Sequence, residues 1–150
     1  MNPQPTTLIG IALPHKTSNV NEQAMTDCGQ LWQRFEQEGI FDKIPGKTAF
    51  EVYAVYHDYD GDHTQPYDYF IGCPVASGTE VPEGLQKLEI PAQKYTHIVA
   101  KGKMPDCVAD AWREIWKGNH SRAYGFDFEV YGEKAADWSE AEVDIYLSVK

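Results

Sequence analysis

The sequence predicts an α+β fold: two β-α-β-β units related by pseudo-twofold symmetry, joined in one antiparallel sheet that carries two main helices on one face. The same order of elements, strand, helix, strand and strand, occurs twice along the 150 residues. The segment Phe50-Glu51-Val52-Tyr53 of the first half also recurs as Phe128-Glu129-Val130-Tyr131 in the second half. We therefore expect one domain over residues 1–150, with pseudo-repeats at about 6–76 and 93–150.

The first half begins with a short apolar strand that leads into a helix. Apolar residues recur every three or four positions from Met25 to Phe35, which is the period of an amphipathic helix, and Gly39 is typical of a helix end. A Pro-Gly turn and two apolar runs around a polar loop then predict a hairpin. The predicted strands of this half cover residues 7–13, 49–56 and 67–75.

The second half repeats this order after a turn-rich connector at residues 76–87. Pro105 and Asp106 suit the first turn of a helix, which we expect to end at Gly118. Trp112 and Trp116 lie on its apolar face, a spacing more typical of a core than of a site, although Trp116 is close enough to the helix end to reach the edge of a cleft. The predicted strands of this half cover residues 95–102, 126–131 and 143–149.

The composition limits the classes of partner. The net charge of −10 and the pI of about 4.8 disfavour direct binding to nucleic acid and favour cationic partners. The three cysteines are widely spaced and include no Cys-x-x-Cys pair, so neither a disulfide scaffold nor a zinc site is indicated. The sequence shows no secretory signal pattern and no apolar stretch of membrane-spanning length, so we expect a cytoplasmic protein that does not enter the membrane.

Motifs that would indicate catalysis or a cofactor are weak. Asp58, Asp60 and Asp62 do not have the glycine and glutamate spacing of an EF-hand calcium loop. His57 and His63 could face each other across the same loop, but no third metal ligand accompanies them. The chain also lacks a nucleophile-elbow sequence and a glycine-rich phosphate loop. We therefore expect no metal, no cofactor and no catalytic residue.

Side-chain alternation along the two hairpins predicts two different sheet faces. One set of residues is apolar and is expected beneath the helices: Phe50, Val52, Ala54, Phe128 and Val130. The other set is acidic and aromatic and is expected on the open face: Glu51, Tyr53, Asp68, Phe70, Glu129, Tyr131, Asp144 and Tyr146. A carboxylate among aromatic rings suits a flat or quaternary cation, because the rings add cation–π attraction to the counter-charge. The alternative is that these residues form an ordinary solvated face.

An ordered series of short motifs runs through nearly the whole chain. It consists of Trp32-Gln-Arg-Phe35 with Gly39-Ile40, Glu51-Val-Tyr53-Ala-Val-Tyr56, Tyr67-Asp-Tyr69 with Ile71-Gly72, Ile90-Pro91 before Tyr95, Ile115-Trp116, Phe128-Glu129-Val-Tyr131 and Ile145-Tyr146. In this order the motifs resemble the gyrase-inhibitor-like effector-binding domains of AraC-type regulators, a fold that also serves MerR-type multidrug-sensing activators. The resemblance is strongest to the free-standing branch, the integron-associated effector-binding proteins encoded on mobile gene cassettes.

The resemblance implies a ligand cleft for amphipathic organic cations, including drugs and dyes, and a connection to transcription regulation. It assigns the role of counter-ion to Glu129, on the penultimate strand, and aromatic residues of both halves would line the cleft. The candidate ligand-binding residues are Glu129 with Tyr53, Tyr95, Trp116, Tyr146, Tyr131, Phe70 and Trp32.

Three functions remain open from the sequence. The leading interpretation is a stand-alone sensing module for a small organic cation, which is not an enzyme. The alternatives are a small hydrolase of the same fold with Glu129 as general base, and an interaction module that partners a DNA-binding regulator or an enzyme. No DNA-binding segment accompanies the domain in this sequence, so direct control of transcription is not expected. The repeat offers Glu51 as a counterpart of Glu129, and only the resemblance favours Glu129.

Overall fold

The computed structural model describes residues 5–62, 64–104, 106–118 and 120–150, and it confirms the α+β class. Its strands are β1 (Thr6–Ala12), β2 (Val52–His57), β3 (Asp68–Pro74), β4 (Gln86–Ile90), β5 (Lys94–Gly102), β6 (Asp127–Tyr131) and β7 (Ala141–Val149). Its helices are α1 (Gln23–Gln37), α2 (Ile40–Lys43) and α3 (Asp106–Lys117). His63 and Pro105, which entered the sequence predictions, lie outside the described residues.

The described strands form one sheet in the order β4-β1-β3-β2-β6-β7-β5, and every neighbouring pair is antiparallel. The first half contributes β1-β3-β2 and the second half contributes β5-β7-β6. The two halves therefore meet at β2 and β6, about an approximate twofold axis. This is the pseudo-twofold arrangement that the repeated order of elements predicts.

Two short elements depart from the predicted boundaries. An edge strand that was not predicted, β4, begins at the end of the connector, pairs with β1 and buries Ile90 while its polar residues stay exposed. Such a short alternating run is a weak strand pattern beside a turn-rich segment. Gly39 does end α1, with a φ of +61°, and the chain then makes the single turn of α2, which buries Ile40.

The helices cover one face of the sheet. The cluster beneath α1 and α2 contains Ile9, Ile11, Leu31, Phe35, Ile40, Ile44, Ala54, Tyr69, Ile71, Cys73 and Val75. The cluster beneath α3 contains Ala100, Met104, Cys107, Val108, Trp112, Ile115, Ala135, Ala141, Val143, Ile145 and Leu147. Tyr56 and Tyr131 pack against both clusters, so β2 and β6 run between the two long helices. None of the helices in the described ranges is long and apolar enough to cross a bilayer.

The opposite face of the sheet holds a third cluster. Its buried members are Leu8, Val55, Phe70, Ile90, Phe128 and Val130. Tyr53, Tyr95 and Tyr146 pack against it and are partly buried, and the Tyr53 ring stacks on Phe128 at 5.1 Å between centroids. This face is therefore aromatic, as the alternation along β2 and β3 predicts.

The predicted strand faces are right for β2 and wrong for β6. Val52 and Ala54 pack beneath the helices, although Phe50 precedes the strand and is 85% exposed. Phe128 and Val130, which were expected beside them, lie on the opposite face.

The register between β2 and β6 explains this error. Ala54 pairs with Glu129, and residues paired across strands share a face of the sheet. Glu129 and Tyr131 therefore lie beneath the helices and not on the open face. The two Phe-Glu-Val-Tyr segments are similar in sequence, but the pairing of β2 with β6 places their matching residues on opposite faces of the sheet. Glu51 is therefore not the structural counterpart of Glu129.

Candidate functional site

A cavity of about 420 Å³ lies between α1 and α3, above the centre of the sheet. From α1 it is lined by Ala24, Met25, Cys28, Gly29 and Trp32, and from α3 by Val108, Ala109, Trp112, Arg113 and Trp116. The sheet contributes Tyr56, Tyr69, Glu129 and Tyr131, and the connecting segments contribute Asn19, Tyr59, Tyr67, Met104 and Arg122. Binding sites for drug-sized molecules have volumes of about 300–1,000 Å³, so this cavity can hold one.

Glu129 is the acidic residue of this lining, and it is 1% exposed. Its Oε2 accepts hydrogen bonds from the Tyr56 hydroxyl at 2.8 Å and from the Trp112 indole Nε1 at 2.5 Å. Its Oε1 accepts a hydrogen bond from the Tyr131 hydroxyl at 2.5 Å. All three donors are neutral groups, so they orient the carboxylate without cancelling its charge.

Burial is the main influence on the pKa values of Glu129 and of the two tyrosines that donate hydrogen bonds to it. Burial raises the pKa of Glu129 above its ordinary value, and the hydrogen bonds from Tyr131, Trp112 and Tyr56 oppose that shift. Burial and the Glu129 carboxylate raise the pKa of Tyr56 and of Tyr131 well above the ordinary tyrosine value, so both hydroxyls stay protonated donors at neutral pH. The charge on Glu129 is therefore penalised by burial, and a cation beside it would stabilise that charge.

Aromatic rings surround this carboxylate in fixed orientations. The Tyr56 ring contacts the rings of Tyr69 and Trp112, each at 5.0 Å between centroids. Trp32 donates from Nε1 to the Tyr69 hydroxyl at 2.8 Å, and its ring meets Tyr131 edge-on at 5.0 Å. Because these contacts join α1, α3 and the sheet, the aromatic walls are preformed.

A buried ion pair, Arg122 with Asp127, forms a second polar group at the cavity. The Arg122 side chain is 6% exposed, and its Nη2 donates to Asp127 Oδ2 at 2.7 Å. Asp127 also accepts hydrogen bonds from the Tyr59 hydroxyl and from the backbone nitrogen and hydroxyl of Ser148. Burial is the largest single influence on the pKa of Arg122 and lowers it, but Asp127, Tyr59 and Tyr124 together raise the pKa of the guanidinium above its usual value. The guanidinium carbon also lies 4.4 Å from the centroid of the Tyr124 ring.

The structure divides the predicted ligand-binding residues between the two faces of the sheet. The cavity brings together Glu129, Tyr131, Trp32 and Trp116. The opposite face holds Tyr53, Tyr95, Tyr146 and Phe70. A cavity beneath the helices is not lined from the other side of the sheet, so the eight residues do not form one cleft. The cause is again the register of β6, which places Glu129 away from the open face.

Tyr56, Trp112 and Arg122 line the cavity but are not among the predicted site residues. The alternation along β2 could have identified Tyr56, because it shares a face with Ala54. Trp112 has the spacing of a core residue, and it is indeed 7% exposed, yet its indole nitrogen reaches Glu129. No local pattern marks Arg122, because its position depends on the path of the segment between α3 and β6.

Two relatives of the chain are transcriptional regulators by name. The chain is 28% identical over 148 residues to YobU of Bacillus subtilis strain 168, a candidate transcriptional regulator, and the match covers 92% of this chain and 89% of that protein. It is 32% identical over 131 residues to the transcriptional regulator BrlR of Pseudomonas aeruginosa, and the match covers 81% of this chain and 46% of BrlR. The chain thus corresponds to somewhat less than half of BrlR.

Solved structures share the fold, and the sequence model of one protein family matches nearly the whole chain. The integron cassette protein VCH_CASS2, from the mobile metagenome of Vibrio cholerae, has a TM-score of 0.74 and 29% identity, covering 98% of this chain and 92% of that chain. SAV2435, solved bound to tetraphenylphosphonium, has a TM-score of 0.76 and 18% identity, covering 98% of this chain and 90% of that chain, a likeness of fold. The sequence model of the Cass2 family, the integron-associated effector binding proteins, matches residues 4–149. The chain therefore belongs to the integron-associated effector binding proteins, a family related to transcription regulators.

Proposed function

We propose that the protein binds a small amphipathic organic cation in the cavity between α1 and α3, with Glu129 as the counter-charge. The observation that carries this proposal is the buried Glu129 carboxylate, whose hydrogen-bond donors are the neutral groups of Tyr56, Trp112 and Tyr131. A buried carboxylate that lacks a cationic partner is costly, and a ligand cation beside it offsets that cost.

The rest of the cavity supports a ligand with bulky or flat apolar groups. Trp32, Trp112 and Trp116 offer ring surfaces, and a cation over such a ring gains about 0.5–2 kcal/mol. The net charge of −10 raises the concentration of cations near the surface. A protein of this fold, SAV2435, binds tetraphenylphosphonium, which is a bulky aromatic cation.

Tryptophan fluorescence offers the test, because three of the four tryptophans line the cavity. We expect tetraphenylphosphonium and rhodamine 6G each to quench this tryptophan fluorescence, and the quenching to reach a plateau as the site fills. Glu129→Gln keeps the shape of the side chain and removes its charge, so the affinity should fall about tenfold or more. Glu51→Gln is the matched control, since Glu51 does not line the cavity, and its affinity should equal that of the wild type. Equal affinities of wild type and Glu129→Gln would contradict the proposal.

A hydrolase is the enzymatic alternative, because a raised pKa suits a general base. Both oxygens of Glu129 accept hydrogen bonds from the protein, and Oε2 accepts two, so the geometry favours holding a charge over taking a proton from water. We expect wild type and Glu129→Gln to leave p-nitrophenyl esters equally intact. Ester hydrolysis that disappears in Glu129→Gln would establish the enzyme instead.

We also propose that the protein is a cytoplasmic effector-binding module, and that a DNA-binding regulator binds it differently with and without the ligand. The names of its relatives support a regulatory role, and its negative charge disfavours direct contact with a phosphate backbone. Affinity capture with the tagged protein, with and without tetraphenylphosphonium, tests this. We expect to capture a DNA-binding regulator whose retention on the tagged protein changes when tetraphenylphosphonium is added. Equal retention with and without the cation would contradict the proposal.

A further inference from the structure

The carboxylate of Glu129 borders the cavity but is shielded from it by the protein's own donors. Tyr56 and Trp112 donate hydrogen bonds to Oε2, and Tyr131 donates one to Oε1. A carboxylate has about four acceptor positions, so one position on Oε1 is left by count. Because the whole residue is 1% exposed, an N–H group of a ligand does not reach that position.

Asp127, the carboxylate paired with Arg122, is closed to a ligand as well. It is fully buried, and its Oδ1 accepts hydrogen bonds from the backbone nitrogen and the hydroxyl of Ser148. Its Oδ2 accepts from the Tyr59 hydroxyl and from Arg122 Nη2. Four donors on two oxygen atoms fill the usual capacity of a carboxylate. Neither carboxylate therefore offers an open acceptor to a charged N–H group in the cavity.

Hydroxyl groups that border the cavity are also engaged within the protein. Tyr67 donates to the side-chain oxygen of Asn19, and Tyr69 accepts from the indole nitrogen of Trp32, each at 2.8 Å. A hydroxyl oxygen can still accept a hydrogen bond, but it lacks the negative charge that makes an ammonium–carboxylate contact strong. A protonated amine that leaves water for this cavity therefore loses hydrogen bonds that the lining does not fully replace.

Aromatic rings lie around the shielded carboxylate and can meet a cation that has no N–H group. The rings of Tyr56 and Trp112 lie 5.0 Å apart, and the ring of Tyr131 lies 5.0 Å from that of Trp32. A ring face attracts a cation through its quadrupole, and quaternary ammonium groups are recognised by aromatic rings in this way. The charge of Glu129 adds to this attraction, because Coulomb energy falls only with the first power of distance and is larger in a cavity than in water. A cationic centre enclosed by its own methyl or phenyl groups is therefore stabilised without a hydrogen bond.

We propose that the cavity selects cations whose charged atom carries no hydrogen, namely quaternary ammonium and phosphonium ions, over protonated amines of the same shape. The inference rests on the proposed function, because it concerns the same cavity and the same counter-charge. A protonated amine brings a charged donor for which the cavity has no open carboxylate oxygen, whereas a quaternary centre brings no such donor. The three donors on Glu129 are thus the positioning groups that set this preference.

A matched pair of probes tests this by tryptophan quenching. Both carry a biphenyl ring on a propyl chain, which ends in a trimethylammonium group in one probe and in a protonated dimethylammonium group in the other. The extra methyl group alone contributes about fourfold in affinity, and an unpaired charged donor costs at least about fivefold more. We therefore expect the wild type to bind the trimethylammonium probe about twentyfold more tightly, or better.

Tyr131→Phe is the variant that removes the shielding. It deletes the hydroxyl that donates to Oε1 and opens that oxygen toward the cavity, which Tyr131 borders. The N–H group of the dimethylammonium probe can then donate to an ionised acceptor, so the preference should fall to about fourfold or less. Tyr53→Phe makes the same exchange on the opposite face of the sheet and should keep the wild-type preference.

The outcomes separate this inference from the proposed function. A wild-type preference of about fourfold or less, with both probes still weakened by Glu129→Gln, overturns the selection and leaves the proposed function standing. A twentyfold preference that persists in Tyr131→Phe overturns it too, because the preference would then not depend on the shielding of Oε1. If neither probe binds, or if both bind Glu129→Gln as well as the wild type, the proposed function fails and this inference fails with it.

A second measurement uses the wild type alone and does not depend on the stability of the phenylalanine variant. The same biphenyl chain is prepared with an ammonium group that carries zero, one, two or three methyl groups, so that one N–H group is removed at each step. We expect the affinity to rise by more than about fourfold at each step. A uniform rise of about fourfold or less, which is the effect of the methyl groups alone, would overturn the inference.

Discussion

Glu129 shows how one buried carboxyl group can connect folding with ligand binding. Its pKa is raised in the folded protein, mainly by burial, whereas in the unfolded chain it has the ordinary value of about 4.3. The folded state therefore holds this proton more tightly than the unfolded state does. The resulting stability is fully present below the ordinary pKa and is lost as the pH rises through the raised pKa.

The first prediction concerns Glu129→Gln without ligand. At about pH 7–8 the variant should unfold at a higher temperature than the wild type, because a neutral amide does not carry a buried charge. The difference should close as the pH falls to about 4, where the wild-type carboxyl is protonated. Thermal unfolding followed by circular dichroism at several pH values measures it, with Glu51→Gln as the control for a carboxylate outside the cavity. A difference that stays constant with pH would argue against the raised pKa.

The second prediction concerns the buried partner of Arg122. Asp127→Ala leaves the guanidinium without a counter-charge and removes an acceptor from Tyr59 and Ser148, so it should lower the unfolding free energy by about 3–5 kcal/mol. Asp110→Ala breaks the exposed pair with Arg113 and should change it little. Urea denaturation of both variants provides the comparison. A loss below about 1 kcal/mol in Asp127→Ala would mean that water replaces the carboxylate.

At the scale of the elements, strands β1 and β3 pair through two glycines, Gly10 and Gly72. A Cβ atom on Gly10 would overlap the carbonyl oxygen of Ile71, and one on Gly72 would lie 2.5 Å from the carbonyl oxygen of Ile9. These neighbours are backbone atoms of paired strands, so they cannot move aside as a flexible side chain can. The approach of the two strands therefore requires glycine at both positions.

The third prediction compares two Gly→Ala changes. Gly10→Ala should destabilise the protein by about 1–3 kcal/mol, the usual cost of overpacking. Gly29→Ala places a methyl group on α1 where no atom beyond the adjacent residues and the helix's own backbone lies within 4 Å, and it should stabilise the protein by about 1 kcal/mol through helix propensity. Urea denaturation measures both. Changes of the same sign would contradict the packing argument for the glycine pair.

The elements themselves were largely predictable because their patterns are local. The predicted α3 has Pro105 and Asp106 in its first turn and ends at Gly118, and within the described residues the observed helix, Asp106–Lys117, ends one residue earlier. The face of β6 was not predictable in this way, since it depends on the pairing of Ala54 with Glu129, a contact between distant parts of the chain. Of the eight ligand-binding residues that the family resemblance indicates, four line the cavity and four lie on the opposite face of the sheet. Arg122 lies in an irregular segment for which periodicity gives no information.

For the whole molecule, two electrostatic effects on a cationic ligand act over different distances. The surplus of acidic groups, a net charge of −10, acts through solvent and is screened by salt. Glu129 acts at contact, on a cation bound beside it in the cavity, and salt screens such a buried pair much less than it screens exposed charges. The long-range effect should govern how fast a cation arrives, and the contact should govern how long it stays.

The fourth prediction follows from this separation. When the salt concentration rises from about 0.01 M to about 0.1 M, the screening length falls from about 30 Å to about 10 Å. The association rate constant of rhodamine 6G should then fall severalfold, while its dissociation rate constant should change little. Glu129→Gln should show nearly the same salt dependence of association, because it alters the net charge by one, and a faster dissociation at every salt concentration. Stopped-flow fluorescence separates the two rate constants. A salt effect found mainly in dissociation would mean that the cation binds on the exposed acidic surface and not beside Glu129.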